Sequence, residues 1–197
     1  MKHMGSGVGI LVIVAAVLGG GYVWYATLIA RRNKVKEAMS SVDVHLNQRH
    51  DLIPNIVKLA GRFMEHEREL LTEVTRLREE ARRPIGSTPG EVGKRFEVEG
   101  RLGQRMGQLL VSIEAYPELK SDRPLVEAQQ TWTEIEAQIT AARRFYNAAV
   151  NQLNNSIQIF PGQIIAAIAG VQAMPFFEAA AGARVAPNVD DILSRRR

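Results

Sequence analysis

From Gly7 to Ala30 the chain carries no charged side chain, and most positions are apolar. At 1.5 Å per residue, a helix of that length matches a hydrocarbon core roughly 30 Å thick. A cleaved signal peptide would also pair a basic start, here Lys2, with an apolar run. The run is too long for one, and Gly19, Gly20 and Gly21 lead into aromatic residues rather than a polar mature start. Tyr22, Trp24 and Tyr25 stand at its far end, where amphipathic rings settle among lipid headgroups. Arg31, Arg32, Lys34 and Lys36 follow at once, against Lys2 and the terminal amine on the other side. The excess of cations predicts a single-pass topology in a bacterial inner (cytoplasmic) membrane. Residues 1–6 are then outside, 7–30 span, and the C-terminal body is cytoplasmic.

Small residues recur at i, i+4 in this segment: Gly5 with Gly9, Ala15 with Gly19, Ala16 with Gly20. Such spacing permits close helix–helix approach in lipid, although Gly and Ala are common in membrane helices whatever their role. Between Gly21 and Pro54 there is neither Gly nor Pro, and Val35, Met39, Val42 and Leu46 keep helical spacing. The membrane helix is therefore expected to run on into the body without a break. It would be roughly 45 residues and on the order of 65–70 Å long, a lever that couples body to anchor.

Three further helices are predicted. The second starts near Pro54 with Asp51 as cap, and follows Ile56, Ala60, Phe63, Leu70, Val74, Leu77 and Ala81, interrupted at Glu67. A loop rich in Pro and Gly occupies 83–90. The third follows Val92, Phe96, Leu102, Met106, Leu109, Leu110 and Ile113, weakened by Gly100, Gly103 and Gly107 at about 1 kcal/mol each. The fourth follows Leu125, Ala128, Trp132, Ile135, Ile139, Ala142, Tyr146, Ala149, Leu153, Ile157 and Phe160, the seam of a bundle or coiled coil. No segment alternates with period two. The expected fold is all-α: an N-terminal transmembrane helix continuous with the first helix of a long antiparallel four-helix bundle. The bundle spans 31–160, and 161–197 form an apolar C-terminal segment with a basic tail.

Val42-Asp43-Val44-His45-Leu46 and Arg49-His50-Asp51-Leu52-Ile53-Pro54-Asn55 resemble the opening signature of LemA family proteins. Tyr116-Pro117-Glu118-Leu119-Lys120 resembles the family's central turn. Arg144-Phe145-Tyr146-Asn147, Val150-Asn151 and Phe160-Pro161 resemble its second block. The resemblance runs in order from about Tyr22 to about Asp190. It implies a short external N-terminus, one membrane span and a cytoplasmic helical bundle. It supplies no reaction, and one branch of the family is associated with building a membrane-bounded organelle. The chain departs from the pattern in its Gly-rich third helix, at Ser121-Asp122-Arg123-Pro124, and in the terminal Arg195-Arg196-Arg197.

Signatures of chemistry are few. There is no cysteine, which removes thiol nucleophiles, disulfides and cysteine-ligated zinc. The histidines His3, His45, His50 and His66 belong to no His-Glu-x-x-His or Glu-x-x-His pair. His66 and Glu69 have ligand spacing but sit in a charged run of the kind that faces solvent. No phosphate-binding glycine loop and no Gly-x-Ser-x-Gly elbow occurs. The reading is therefore of a non-enzyme with no cofactor and no metal. A formal net charge of +4 suits an acidic surface, but the basic residues are interleaved with acids and no nucleic-acid motif accompanies them.

The candidate contact residues are Asn147, Asn151, Asn154 and Gln158, amides beside the apolar seam, together with Phe160, Pro161, Phe176 and Phe177. Amides there fix either register within one bundle or the choice of a partner. From Ile164 to Phe177 the chain is almost wholly apolar, too short to span a bilayer, and needs covering by the bundle, lipid or another subunit. The expected function is a self-associating scaffold that organises or shapes the membrane, with lipid and its own copies as partners. The alternative is a membrane-tethered adaptor for an unknown protein.

Overall fold

The computed structural model describes residues 3–84 and 86–178, with side-chain surroundings from residue 8 onward. Lys2 and the basic tail Arg195–Arg197 lie outside the described residues. The described chain is helical and contains no strand. Helix α1 (His3–Ala60) is followed by a short 3-10 turn, then α2 (Arg68–Ala81), α3 (Pro89–Ile113), α4 (Pro117–Lys120), α5 (Arg123–Gln158) and α6 (Gly162–Ala169). The chain divides into two compact units, Met1–Leu46 with Ala137–Phe176 and Asn47–Glu136 with Phe177–Arg197, so that α1 and α5 contribute to both.

The first helix is longer than the sequence predicts. Pro54 does not begin a second helix, and Asp51 caps nothing; α1 runs through both to Ala60. Proline lacks the N–H that would bond the carbonyl four residues earlier, which ordinarily ends or kinks a helix. Here that carbonyl belongs to His50, and Arg78 Nε donates to it at 2.7 Å. A side chain of α2 thus replaces the missing backbone donor.

The break comes at 61–67, at the Glu67 interruption in the apolar pattern. Met64 and Leu71 are buried on either side of it, whereas Phe63, expected inside, is 43 % exposed.

In the second unit α2 and α3 form an antiparallel hairpin. Arg101 pairs with Glu80 at 2.9 Å, and Arg105 with Glu73 at 3.0 Å. Thr88 starts α3 through a capping box: Glu91 N–H donates to Thr88 Oγ1, Thr88 N–H donates to the Glu91 carboxylate, and Pro89 takes the first turn. The Thr88 hydroxyl and then the Thr88 N–H, both donating to it, hold the Glu91 carboxyl below its ordinary range. With a good cap and a buried face of Val92, Phe96, Leu102, Met106, Leu109 and Ile113, α3 stays intact despite its glycines. The core of this unit adds Ile53 and Ile56 of α1, Val74 and Leu77 of α2, Leu119 of α4, and Leu125 and Trp132 of α5.

In the first unit α1 buries Leu28, Val35, Ala38, Val42 and Leu46, and α5 buries Ile139, Ala142, Tyr146, Ala149, Val150 and Leu153. Arg31 donates to the Gln152 carbonyl at 3.1 Å and to Ser156 Oγ, while Lys34 lies 4.9 Å from the Phe145 ring, so the two helices run antiparallel. The predicted seam of α5 holds as far as Leu153. Phe160, expected to continue it, falls beyond the helix and is 77 % exposed.

Replacing Arg78 by Met leaves the His50 carbonyl without a donor and is expected to cost about 1–3 kcal/mol in chemical denaturation. Pro54→Ala restores the backbone N–H, so the same Arg78→Met change should cost measurably less in that background, a coupling that a double-mutant cycle reads directly.

Candidate membrane interface and a buried charge cluster

One described helix, α1, is long and apolar enough to cross a membrane, and among the described residues nothing else covers its apolar stretch. Val8, Ile10, Leu11, Val12, Ile13, Val14, Val17 and Leu18 are all at least half exposed. No atom of a neighbouring element lies within 4 Å of where a Cβ would sit at Gly9, Gly19, Gly20 or Gly21. Coverage begins at Trp24 and is complete at Leu28.

The interface residues expected from sequence divide. Tyr22 and Tyr25 point outward, 71 % and 45 % exposed. Trp24 instead turns inward against Gly162 at the start of α6, where a Cβ would lie 2.9 Å from its indole nitrogen and would clash with the Ser156 carbonyl. Only glycine fits at 162. Among the collar cations, Arg31 is spent on α5, and Lys34 pairs with Glu37 at 3.0 Å. Arg32 is half-buried and Lys36 exposed.

The amide stripe on α5 is likewise mixed. Asn154 grips the chain after α6 with both ends of its amide: Nδ2 donates to the Met174 carbonyl, and Met174 N–H donates to Oδ1, each at 3.0 Å. One turn closer to the start of α5 than Asn151, Tyr146 donates its hydroxyl to the Pro175 carbonyl at 3.0 Å; burial pushes this phenol up to about 12. Asn151 is exposed and accepts from Asn155 at 2.7 Å, and Asn147 is half-buried. The Gln158 side chain is exposed, and the backbone carbonyl of Gln158 accepts from Gln163 Nε2 at 3.2 Å. Pro161 is half-buried and Phe176 46 % exposed. Phe177, in the second unit, is buried and stacked on Phe96 with ring centroids 4.1 Å apart.

A second constellation lies inside the second unit. Arg49 and His50 of α1 and Glu99 of α3 are almost completely buried. Arg49 donates to the Glu99 carboxylate, to the Glu99 carbonyl at 3.2 Å, and to Glu136 of α5 at 3.0 Å. His50 Nε2 stands 3.0 Å from Glu99 Oε1. Burial on its own would raise the Glu99 carboxyl. The His50 hydrogen bond and the Arg49 and His50 charges outweigh it and hold the carboxyl below the ordinary range. Arg49 enters the sequence reading only as part of a motif, His50 there and among the histidines without ligand spacing, and Glu99 does not enter at all. The signal was present: Glu99 stands three residues from both Phe96 and Leu102 on the apolar face of α3, and Arg49 and His50 interrupt the stripe between Leu46 and Ile53.

Arg49 bridges Glu99 of α3 and Glu136 of α5 while His50 meets Glu99, an arrangement suited to fixing how three helices register. Arg49 Nε and His50 Nδ1 are buried without a hydrogen-bond partner among the described residues, and His50 also lines a cavity with Arg82, Arg83 and Arg95. Among the described residues no group of three or more His, Asp or Glu side chains is placed to share a metal ion. Arg49→Met strands a buried carboxylate and is expected to cost about 3–5 kcal/mol by thermal or chemical unfolding. Because the folded Glu99 is the stronger acid, its contribution is fully present above the ordinary carboxyl value of 4.5 and is lost as pH falls through the lower folded value. The stability gap between the native chain and Glu99→Gln should therefore narrow on acidification below pH 4.5.

Comparison with known proteins agrees with this architecture. Magnetosome proteins MamQ 1 and MamQ 2 of Paramagnetospirillum magneticum are each 25 % identical over 175 residues, 78 % of this chain and 64 % of the relative. The chain thus spans under two thirds of the length of these two. Magnetosome protein MamQ of Magnetospirillum gryphiswaldense is 24 % identical over 204 residues, covering 89 % of this chain and 75 % of the relative. The LemA family model matches residues 38–190, which takes in the buried Arg49–His50–Glu99 cluster, the Tyr116-Pro117 turn and the whole of α5 and α6. The chain belongs to the LemA family.

Proposed function

We propose that this protein is a non-enzymatic, single-pass membrane scaffold that self-associates and organises the bacterial membrane in which it sits. The observation that carries this reading is the bare apolar surface of α1. Residues from Val8 to Leu18 are exposed along a helix whose continuation is packed into a helical body. In water such a surface costs about 25 cal/mol for each Å² of apolar area, and lipid removes that cost. The cation excess after residue 30 supports a cytoplasmic body. Similarity to magnetosome proteins supports a role in membrane organisation.

Self-association is supported by the open surface at Gly9, Gly19 and Gly20, where a neighbouring helix could approach closely. Full-length protein reconstituted at a fixed protein-to-lipid ratio should form oligomers by cross-linking and single-particle mass measurement. Gly19→Leu with Gly20→Leu should lower the oligomer fraction while leaving helicity unchanged. A strictly monomeric protein that leaves vesicle contours unaltered would overturn the scaffold reading. Recovery of a stoichiometric foreign protein from membranes, with no self-capture, would replace it by an adaptor.

A further inference from the structure

We propose that the elbow between α5 and α6 is a second membrane-contacting element, which lies in the headgroup region beside the spanning helix. The proposal rests on the reading of α1 as a membrane span and adds a second site of lipid contact from another part of the chain.

Three observations carry it. First, no charged side chain occurs between Arg144 and Glu178. Solvent-facing surfaces of soluble domains are typically about a quarter or more charged, so a charge-free exposed face is not built for water. Second, the face is exposed and apolar: Ile159 57 %, Phe160 77 %, Ile164 56 % and Ile168 83 %. Ile164 and Ile168 stand at i, i+4 and share one side of α6, while Gly162 and Ala166 are buried on the other. Third, α6 starts beside the end of the bare part of α1 within the same unit. Gly162 is in contact with Trp24, at the level where coverage of α1 begins. The start of α6 therefore sits beside α1 where the bare apolar stretch of α1 gives way to covered residues.

The local chemistry holds the helix in place. Gly170 ends α6 in the left-handed region at φ 63°, and Val171 N–H closes the turn on the Ala166 carbonyl at 3.0 Å. The returning chain is then gripped by Asn154 and Tyr146. With its inner side fixed to α5, α6 can present only its isoleucine side outward. An interfacial helix of this kind buries its apolar face about 5–10 Å deep, at the boundary of headgroups and acyl chains.

The absence of cysteine makes the test direct. Single-cysteine variants Ile13→Cys, Ile168→Cys and Val111→Cys, the last being 73 % exposed on α3, are labelled with an environment-sensitive fluorophore. The full chain is reconstituted in phosphatidylcholine–phosphatidylglycerol vesicles containing doxyl-labelled lipid. The label at 168 should be blue-shifted and quenched most by a doxyl group near the headgroup, that at 13 by one deep in the acyl chain, and that at 111 by neither. Quenching at 13 with a water-exposed, unquenched label at 168 overturns the elbow proposal and leaves the span intact. A label at 168 that is blue-shifted but unquenched overturns it also, in favour of coverage by a second copy. Loss of quenching at 13 overturns the span itself.

Discussion

The backbone hydrogen-bond ladder of α1, continuous but for one proline, is the constraint on which the remainder rests. A segment exposed to hydrocarbon has no water to satisfy its N–H and C=O groups, so each must be satisfied within the helix. Glycines at 19, 20 and 21 lower helix propensity, and the apolar environment expected around them leaves the chain no competing partner. The ladder has one gap, at Pro54, and it falls where α1 is packed among other helices rather than where it is bare. There the orphaned His50 carbonyl takes its hydrogen bond from Arg78. A proline that would stop an isolated helix is tolerated because a neighbouring helix supplies the donor.

The two units settle their polar groups in different ways. In the second, charge is taken into the interior: Arg49, His50 and Glu99 are buried together, and their geometry is possible only when α1, α3 and α5 hold one register. Buried ion pairs add little net stability against an apolar alternative, but they penalise any register that separates the partners. In the first unit, α5 and α6 carry no charged side chain beyond Arg144; Arg31 of α1 bonds the Gln152 carbonyl and Ser156, and the neutral Asn154 amide and Tyr146 hydroxyl hold the backbone of residues 174 and 175. A neutral hydrogen bond carries no ionic desolvation cost.

The division of the amide stripe follows from this. Asn147, Asn151, Asn154 and Gln158 are indistinguishable by spacing, yet Asn154 grips the returning chain, while Asn151 and the Gln158 side chain are exposed. The aromatic pair divides as sharply: Phe177 is buried in a stack with Phe96, whereas Phe160 stands out into the open. Sequence spacing places residues on a helix face, but only the path of the chain after α6 decides which of them it touches.

What the amino-acid sequence determined by itself was whatever depends on local period and polarity. The apolar run of α1 predicts a helix of spanning length, the seam of α5 is legible from Leu125 to Leu153, and the Tyr116-Pro117 turn follows the end of the α3 pattern, whereas α3 starts at Pro89, inside the stretch 83–90 expected as loop. Each of these signals is complete within one segment. The tertiary structure alone decided the continuation of α1 past Pro54, the burial of Glu99 with Arg49 and His50, and the inward turn of Trp24 onto Gly162. In each case the compensating group comes from a part of the chain far away in sequence. The energy of a missing hydrogen bond or a buried charge is set by what stands opposite it, and no periodicity within one helix records that.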